Sequence, residues 1–357
     1  MAQISIVVPI YKTGKILERT LIALSKQTFR DIECLLIDDG GNDLKTSQIC
    51  SYFVQSDNRF KYYSKENEGI EKTRLFGVSK ASGSLIAFCD HDDYYDLNAL
   101  ECLYNAYKQS GSDIVIANCY KRMGNMFFLN RQKNHIEITK HTILTKEEYL
   151  REDFVLTFFG EHRFSVSTWG KLYKKELFDD PFELYGVNIL EDVVLNIQIF
   201  DRAEKFHFIH DYVYTHVYGG ITSSNNVESA LDGYEKVYEF RKKYLCRHNL
   251  SLSPLLVEYQ NIINQRIEMM IDAGYTEEDF KRVIDKILKY KIYKDLTSFL
   301  PDSELRSNIK MLGSDVCLLY KESLSQSTIK RKLKYNIRIL YKLFTNFNLS
   351  KNARSLS

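Results

Sequence analysis

The sequence predicts an α/β fold in which a mostly parallel sheet is flanked by helices and followed by a helical C-terminal region. Short apolar runs alternate with segments of helical spacing over about the first 120 residues, the pattern of a parallel sheet covered on both faces. Acid-rich turns follow the second and fourth runs. From about residue 226 the spacing is helical and rich in Tyr, Leu, Ile and Lys.

The alternation assigns the elements in order. Strands are predicted at 4–8, 32–37, 60–63, 85–89 and 113–117, and later at 206–209 and 213–217. Helices are predicted at 14–26, 44–54, 69–80 and 97–107, and later at 190–200. The second strand is interrupted by a charged residue, Glu33. The segment 119–145 has no clear period and predicts an excursion or hairpin.

Composition excludes several classes of protein. With 44% hydrophobic residues the 357-residue chain can bury a core, which excludes a wholly disordered protein. Seven cysteines without a C-x-x-C pair argue against a disulfide framework or zinc ribbon and favour a reducing compartment. No apolar run approaches 18 residues, and the N-terminus lacks the basic region of a signal peptide, so we expect a cytoplasmic protein.

Charge is distributed unevenly along the chain. Residues 330–357 contain eight basic side chains and no acidic one, whereas the rest of the chain carries 41 basic and 47 acidic side chains. Apolar residues recur there at helical spacing from Ile329 to Phe347. This predicts a basic amphipathic helix that lies on an anionic membrane surface, at the inner face of the plasma membrane. The alternative is a helix packed on the protein with its lysines in solvent. An acidic body argues against nucleic-acid binding.

Ligands of an open parallel sheet bind beyond the carboxyl ends of its strands, and here those ends carry acids. Neither a G-x-G-x-x-G nor a G-x-x-x-x-G-K-[ST] sequence is present, which disfavours dinucleotide oxidoreductases and excludes P-loop proteins. The turn Asp90-His91-Asp92-Asp93 instead offers oxygen ligands of the kind that Mg²⁺ and Mn²⁺ prefer. Alternate residues point the same way, so Asp90 and Asp92 can face one ligand. The alternative is a solvated turn in which Asp93 or Asp96 caps the next helix.

A series of short segments resembles, in order and spacing, the family 2 glycosyltransferases, which have the GT-A fold. The resemblance covers about residues 3–225. The segments are Val7-Val8-Pro9-Ile10-Tyr11, Gln27-Thr28-Phe29, Asp38-Asp39-Gly40, Asn67-Glu68-Gly69 with Arg74 and Gly77, Asp90-His91-Asp92-Asp93, Trp169-Gly170-Lys171-Leu172-Tyr173, Leu190-Glu191-Asp192, and Tyr212-Val213-Tyr214 to Gly219-Gly220-Ile221-Thr222.

The resemblance implies a binding site for a UDP-sugar donor. Pro9 and Tyr11 are expected beside the uracil, with Asp39 accepting from its N3–H. Arg74 is expected to hold diphosphate charge, as guanidinium groups do. Asp90 is expected near the ribose or the metal. The metal ligands implied are Asp92, Asp90 and His216, with His207 and His210 as alternatives to the histidine, and the ion is Mn²⁺ or Mg²⁺.

The resemblance also implies the groups that act on the acceptor. Asp192 is expected to be the general base that deprotonates the acceptor hydroxyl, with inversion at the anomeric carbon. The alternative for Glu191 and Asp192 is an acidic pair favoured by a helix N-terminus. Trp169 and Lys171 are expected, with Glu191, to shape the acceptor side, although Trp169 is equally compatible with a core position.

Together these expectations describe an inverting, metal-assisted glycosyltransferase of capsule or cell-surface glycan synthesis. Its acceptor is expected to be a saccharide, lipid-linked in view of the tail, and a homodimer is left open. The predicted domains are 1–225 (nucleotide half 1–118, acceptor half 119–225), 226–328 (helical) and 329–357 (basic tail). The alternative function is a non-catalytic homologue that binds a sugar nucleotide or a partner protein.

Overall fold

The computed structural model divides the chain into two compact units, Met1–Gly220 and Ile221–Ser357. It describes residues 2–123, 131–133, 137–161, 163–218, 227–300, 312, 316, 319 and 323. The predicted basic tail 329–357 and the stretch 219–222 of the closing motif lie outside the described residues.

The first unit contains ten described strands in one sheet. The strands are β1 (Ile4–Ile10), β2 (Ile32–Asp38), β3 (Phe60–Ser64), β4 (Leu85–Phe88), β5 (Tyr94–Tyr95), β6 (Ile114–Met123), β7 (Gln132–Lys133), β8 (Thr142–Thr145), β9 (Lys171–Lys174) and β10 (Lys205–Tyr218). Their order is β3-β2-β1-β4-β9-β6-β10-β5, with β7 paired to β6 and β8 to β10.

Six α-helices of the described residues belong to this unit. They are α1 (Ile16–Ser25), α2 (Leu44–Ser56), α3 (Ile70–Lys80), α4 (Ala99–Ser110), α5 (Lys146–Arg151) and α6 (Glu191–Arg202). Two 3₁₀ helices accompany them, Phe154–Phe159 and Lys175–Phe178. Local chemistry sets several ends. The Asp43 side chain caps α2, a Thr145–Glu148 capping box begins α5, and Gly111, at φ +62°, ends α4.

Helices cover both faces of the sheet. On one face, α1, α2 and α4 share an apolar core with alternate residues of β1 such as Ile6 and Val8. On the other face α3 approaches β1 and β2 at Gly77. A Cβ atom at Gly77 would lie 2.4 Å from Cγ1 of Val7 and 3.1 Å from Cγ1 of Ile37. The glycine therefore allows α3 to lie directly on the sheet beside the strand ends.

The prediction of a mostly parallel sheet flanked by helices is confirmed, with differences of detail. The strands β5 and β8 were not predicted, and both pair antiparallel with β10. The segment Lys171–Lys174 forms β9, which inserts antiparallel between β4 and β6. The two strands predicted at 206–209 and 213–217 are one strand, β10, whose register against β6 shifts between Phe208 and Tyr212. The β1–β2–β3, β1–β4 and β6–β10 pairings are parallel, as expected.

The second unit is helical in its described part. Its helices are α7 (Val227–Arg247), α8 (Ser253–Asp272), α9 (Glu277–Ile287) and α10 (Lys291–Phe299). Each buries an apolar stripe, with Val237, Ile263, Ile284 and Leu296 fully shielded from solvent. Among the described helices, none is long and apolar enough to span a bilayer.

Candidate active site

The acidic turn that follows β4 is held by hydrogen bonds from two other elements. The hydroxyl of Thr20, on α1, donates to the backbone oxygens of His91 and Asp93 at 2.8 and 2.6 Å. The amide of Asp90 donates to the hydroxyl oxygen of Tyr214, on β10, at 3.0 Å. The backbone of the turn is thus fixed by the protein itself.

Asp93 joins this turn to β10 and is not the helix cap considered above. Its buried carboxylate accepts from the amide of Val217 at 2.7 Å and lies 3.0 Å from Nδ1 of His216. Helix α4 begins after Asn98, whose side chain makes no capping hydrogen bond. Burial raises the pKa of Asp93 to about 6, although His216 opposes this.

His216 lies beside the acidic turn, as predicted. Burial alone would lower the pKa of its imidazole, but the hydrogen bond and charge of Asp93 raise it. The ring stacks on Trp169 with 5.5 Å between centroids, and Trp169 stacks in turn on Tyr214 at 4.6 Å. Because Nδ1 faces Asp93, ligation of a metal by this histidine would use Nε2.

Asp90 and Asp92 have partly exposed side chains at this turn. The ligand atoms of Asp90, Asp92 and His216 do not all lie within 4.8 Å of one another. Among the described residues, the one group of three metal-ligating side chains that meets this distance consists of other residues. An open arrangement suits Mg²⁺ or Mn²⁺, which take one or two carboxylates and complete their shell with substrate phosphates and water.

A second pair of carboxylates lies at the first turn of α6, after Leu190 at φ +72°. The Asp192 carboxylate accepts from the Thr168 hydroxyl at 3.1 Å. Burial raises the pKa of Asp192, and the charge of Arg74 partly opposes that rise. Burial, followed by the charge of Asp192, raises the pKa of Glu191 to about 7. Raised pKa values make both groups stronger bases than exposed carboxylates.

Arg74 connects the two acidic groups. Its Nη1 is 2.7 Å from Oδ1 of Asp192 and its Nη2 is 3.2 Å from Oδ1 of Asp90, and its side chain is 2% exposed. The charges of these two carboxylates raise the pKa of the guanidinium despite its burial. In this structure Arg74 is the shared counter-ion of Asp90 and Asp192.

Lys171 is buried and contacts the loop that precedes Trp169. It is 1% exposed, and its ammonium donates to the backbone oxygens of Ser165, at 2.7 Å, and Ser167. Burial lowers its pKa to about 7, with Asp192 opposing. Because the same loop carries Thr168, Lys171 holds the segment that orients Asp192.

The residues expected around the nucleoside lie at the adjacent ends of β1 and β2. Pro9 is buried near the end of β1, and the partly exposed Tyr11 follows that strand. The amide of Asp39 donates to the oxygen of Ile10 at 2.9 Å, which keeps the two strand ends together. The ammonium of Lys12 lies 5.0 Å from the centre of the Tyr11 ring.

The Asp39 carboxylate organises the Asn67-Glu68-Gly69 segment. It accepts from the ammonium of Lys65 at 2.5 Å and from the amides of Glu68 and Gly69 at 3.0 and 2.9 Å. Burial alone would raise the pKa of Asp39, but these donors lower it. Asp39 is therefore ionised at neutral pH and is held at the strand end by several donors.

Several residues of the site were not predicted from the sequence. Thr168 and Tyr214 orient Asp192 and the acidic turn, respectively, and Arg19 donates to the backbone oxygen of Asp92. Thr168 directly precedes the motif that begins at Trp169, and Tyr214 belongs to the closing motif. The family motifs could therefore have pointed to both residues. Nothing local to Arg19 pointed to a turn 73 positions away.

The sheet has the arrangement of the GT-A fold, and comparisons with known proteins support a glycosyltransferase. A sequence model of the family described as "Glycosyl transferase family 2" matches residues 5–180. The Glycosyltransferase GlyG of Streptococcus pneumoniae serotype 4 is 29% identical over 303 residues, which are 82% of this chain and 96% of that protein.

Two further proteins are similar to this chain. The GalNAc(5)-diNAcBac-PP-undecaprenol beta-1,3-glucosyltransferase of Campylobacter jejuni is 25% identical over 215 residues, 55% of this chain and 68% of that protein. The crystal structure of S. aureus TarS 1–349 in complex with UDP-GlcNAc superposes with a TM-score of 0.62 at 17% identity, covering 91% of each chain. Residues 5–180 of this chain match glycosyltransferase family 2, and the predicted resemblance and enzyme class are confirmed.

Proposed function

We propose that this glycosyltransferase transfers a sugar from a UDP-sugar to a saccharide hydroxyl, with inversion at the anomeric carbon and with a divalent cation. The observation that carries the proposal is the buried guanidinium of Arg74, which lies 3.2 Å from Asp90 and 2.7 Å from Asp192. One side chain thereby links the proposed donor site to the proposed base. A base must lie close to the proton it removes in the bound complex.

The donor site is proposed at the ends of β1 and β2. Pro9 and Tyr11 would lie against the uracil, and the ionised Asp39 would accept from N3–H. Cytosine lacks a proton at that position, so this contact would select uridine nucleotides. The fold shared with TarS, which was solved with UDP-GlcNAc, is compatible with this choice of donor.

The metal is proposed to be Mn²⁺ or Mg²⁺, held by Asp92 with Asp90 and His216. When bound, such an ion supplies positive charge for the diphosphate leaving group. The protein's own contribution is to fix the ligands: the amide of Asp90 is tied to Tyr214, and Asp93 orients the His216 ring.

Asp192 is proposed as the general base. Its pKa is raised by burial, which strengthens it as a proton acceptor, while Arg74 keeps it ionised and Thr168 fixes its orientation. On the acceptor side we propose Glu191, with Trp169 as an aromatic wall behind His216. Lys171 would act indirectly, by holding the 165–168 loop in place.

A test of the base uses Asp192→Asn, which keeps the shape of the side chain and removes its negative charge. We expect unchanged UDP affinity by calorimetry and a loss of transfer of about 10²–10⁴-fold. Asp179→Asn, at an exposed carboxylate of the same unit, is the matched control. Retained turnover in Asp192→Asn would remove Asp192 as the base.

A test of the metal site measures UDP binding with and without Mn²⁺. We expect Mn²⁺ to tighten UDP binding in the wild type and in Asp31→Ala, an exposed control, and to have no effect in Asp92→Ala. An equal gain in Asp92→Ala would contradict the assignment of this ligand. A screen of UDP-sugars for metal-dependent hydrolysis by mass spectrometry would then identify the donor sugar.

A lipid-linked acceptor, and a role in capsule or cell-surface glycan assembly, are proposed from two observations. The C. jejuni relative is named for an undecaprenol-linked substrate, and every charged side chain in residues 330–357 is basic. The proposed location is the cytoplasm, with the tail on the inner face of the plasma membrane. Deletion after Gln326 should reduce sedimentation with anionic liposomes, whereas equal sedimentation would favour a tail packed on the protein.

A further inference from the structure

A second group of metal-ligating side chains lies on the same sheet, outside the proposed donor and acceptor sites. It consists of His141, directly before β8, and His210 and Asp211, on β10. One imidazole nitrogen from each histidine and one Asp211 carboxylate oxygen all lie within 4.8 Å of one another. We propose that this group, termed the His-His-Asp cluster, binds a transition-metal ion such as Zn²⁺ and ties β8 to β10.

The strand is distorted where it carries these residues. Between Phe208 and Tyr212 β10 advances four positions while its partner β6 advances two, from Ile116 to Asn118. The side chain of Asn118 fixes this bulge, since its amide group donates to the backbone oxygen of His210 at 3.0 Å. Bulges re-aim side chains that a regular strand would send to opposite faces, and here consecutive residues, His210 and Asp211, contribute to one group.

The same asparagine also fixes the chain on the other side of the cluster. Asn118 is 4% exposed, and it both donates to the backbone oxygen and accepts from the amide of Ile138, each at 2.8 Å. Ile138 lies three residues before His141. One buried side chain therefore positions both segments that contribute ligands, which is the arrangement of a built site.

The distances are close to those that zinc requires. Tetrahedral Zn²⁺ with bonds of about 2.0–2.1 Å holds its ligand atoms roughly 3.3 Å apart. Nε2 of His141 is already 3.6 Å from Oδ2 of Asp211, and the two histidine rings meet edge to face with 4.4 Å between centroids. The side chains of His141 and Asp211 are 49% and 42% exposed, so small rotations can close the remaining distance.

The chemistry of this group differs from that of the acidic turn. Two imidazoles and one carboxylate suit Zn²⁺, Ni²⁺ or Cu²⁺, whereas carboxylates with substrate phosphates suit Mg²⁺ or Mn²⁺. Three protein ligands leave a coordination position for water.

One neighbouring histidine does not belong to the cluster. His207 lies nearby, with its ring 5.8 Å from that of His141, but it is buried and its Nδ1 faces the backbone oxygen of Ala106.

The test measures Zn²⁺ and Co²⁺ binding to the full chain in the Asp92→Ala background, which removes the other proposed metal site. We expect one ion per chain by calorimetry, and Co²⁺ absorption bands of a four-coordinate site. Loss of an outer partner typically weakens metal binding about 10–100-fold, so His210→Ala or His141→Ala should weaken it by at least that much. His248→Gln, a histidine outside the cluster, should bind as its parent does.

A second readout tests whether the ion ties β8 to β10. Zn²⁺ should raise the melting temperature of the parent and of His248→Gln but not that of His210→Ala, because ligands that bind only the folded state stabilise it. Binding should weaken as the solution is acidified, since histidine ligates only as the neutral imidazole. Equal Zn²⁺ affinity in the parent and His210→Ala would overturn the proposal, and this outcome is independent of sugar transfer.

Discussion

Replacement of Arg74 by methionine tests the central electrostatic feature of the site. Methionine has a similar length but no charge, so Asp90 and Asp192 would lose their common counter-ion. Arg74 is 2% exposed, whereas the Asp192 and Asp90 side chains are 19% and 25% exposed. The substitution therefore leaves two carboxylates that are only partly hydrated and carry like charges close together.

The expected cost follows from this exposure. Breaking a buried ion pair by removing one partner typically costs about 3–5 kcal/mol. Since water still reaches both carboxylates, we expect Arg74→Met to lower the free energy of unfolding by about 3 kcal/mol, the lower end of that range. Without Arg74 the pKa of Asp192 should rise further above its unfolded value. The carboxylates can then take up protons as the pH falls, so the loss should be larger at pH 8 than at pH 5.

Urea denaturation followed by far-UV circular dichroism measures this loss, with Arg30→Met as an exposed control expected within about 0.5 kcal/mol of the wild type. The double variant Arg74→Met/Asp192→Asn should recover at least about 1 kcal/mol relative to the sum of the single variants, as expected for residues in contact. A loss below about 1 kcal/mol for Arg74→Met, or strictly additive single changes, would refute the shared counter-ion.

Three further substitutions test the parts of the fold that support the site. Glu33 accepts from Ser5, Lys61 and Ser82, and although burial alone would raise its pKa, these donors lower it to about 2. Glu33→Gln should therefore cost about 3 kcal/mol at pH 7, and the difference should shrink as the pH falls from 4.5 towards 2; a pH-independent difference in urea titrations would contradict this. Gly77→Ala should cost about 1–3 kcal/mol by overpacking against Val7, and Val7→Ala should restore part of the loss in thermal unfolding; an unchanged melting temperature in Gly77→Ala would show that the helix simply shifts. Asp93→Asn should lower the pKa of His216, measured by NMR titration of the ring proton, and an unchanged value would show that Asp93 does not set that pKa.

The nucleotide half of the fold was predictable because its signals are local. The strands β1, β2 and β4 are mostly apolar runs, and α1 and α4 bury an apolar stripe, so periodicity separates the two kinds of element there. Even Glu33, which interrupts the second run, is compatible with a buried strand once its carboxylate is surrounded by donors from neighbouring segments.

The acceptor half was harder to predict because its pairing partners are distant in sequence. The four residues Lys171–Lys174 include two lysines and no apolar run. They nevertheless form β9, because their backbone pairs with β4 on one side and with β6 on the other. The break between the two strands predicted in β10 is a bulge held by Asn118, and no local pattern reveals a hydrogen bond across 92 positions. Tertiary context determines such strands more than propensity does.

The motifs identify residues that the structure brings near one another, but not the surroundings of each. Arg74 contacts Asp90 and Asp192, and His216 contacts Asp93 of the same acidic turn. Burial cannot be seen in the sequence, and burial makes Arg74 a counter-ion of these carboxylates in the structure. Burial likewise places the Lys171 ammonium against the backbone of the 165–168 loop, which it holds by hydrogen bonds.

The charge of the assembled site explains why donor and cation should depend on one another. Arg74 pairs with Asp90 and Asp192, and Asp92 lies in the same turn as Asp90, so these three carboxylates outnumber the one buried guanidinium before any ligand arrives. A diphosphate would meet repulsion there unless a cation bound with it, and a cation would have only a few protein oxygens unless the diphosphate completed its shell. Each ligand should therefore raise the affinity of the other by the same factor. Arg74 limits this excess of negative charge by pairing with Asp192, the proposed base.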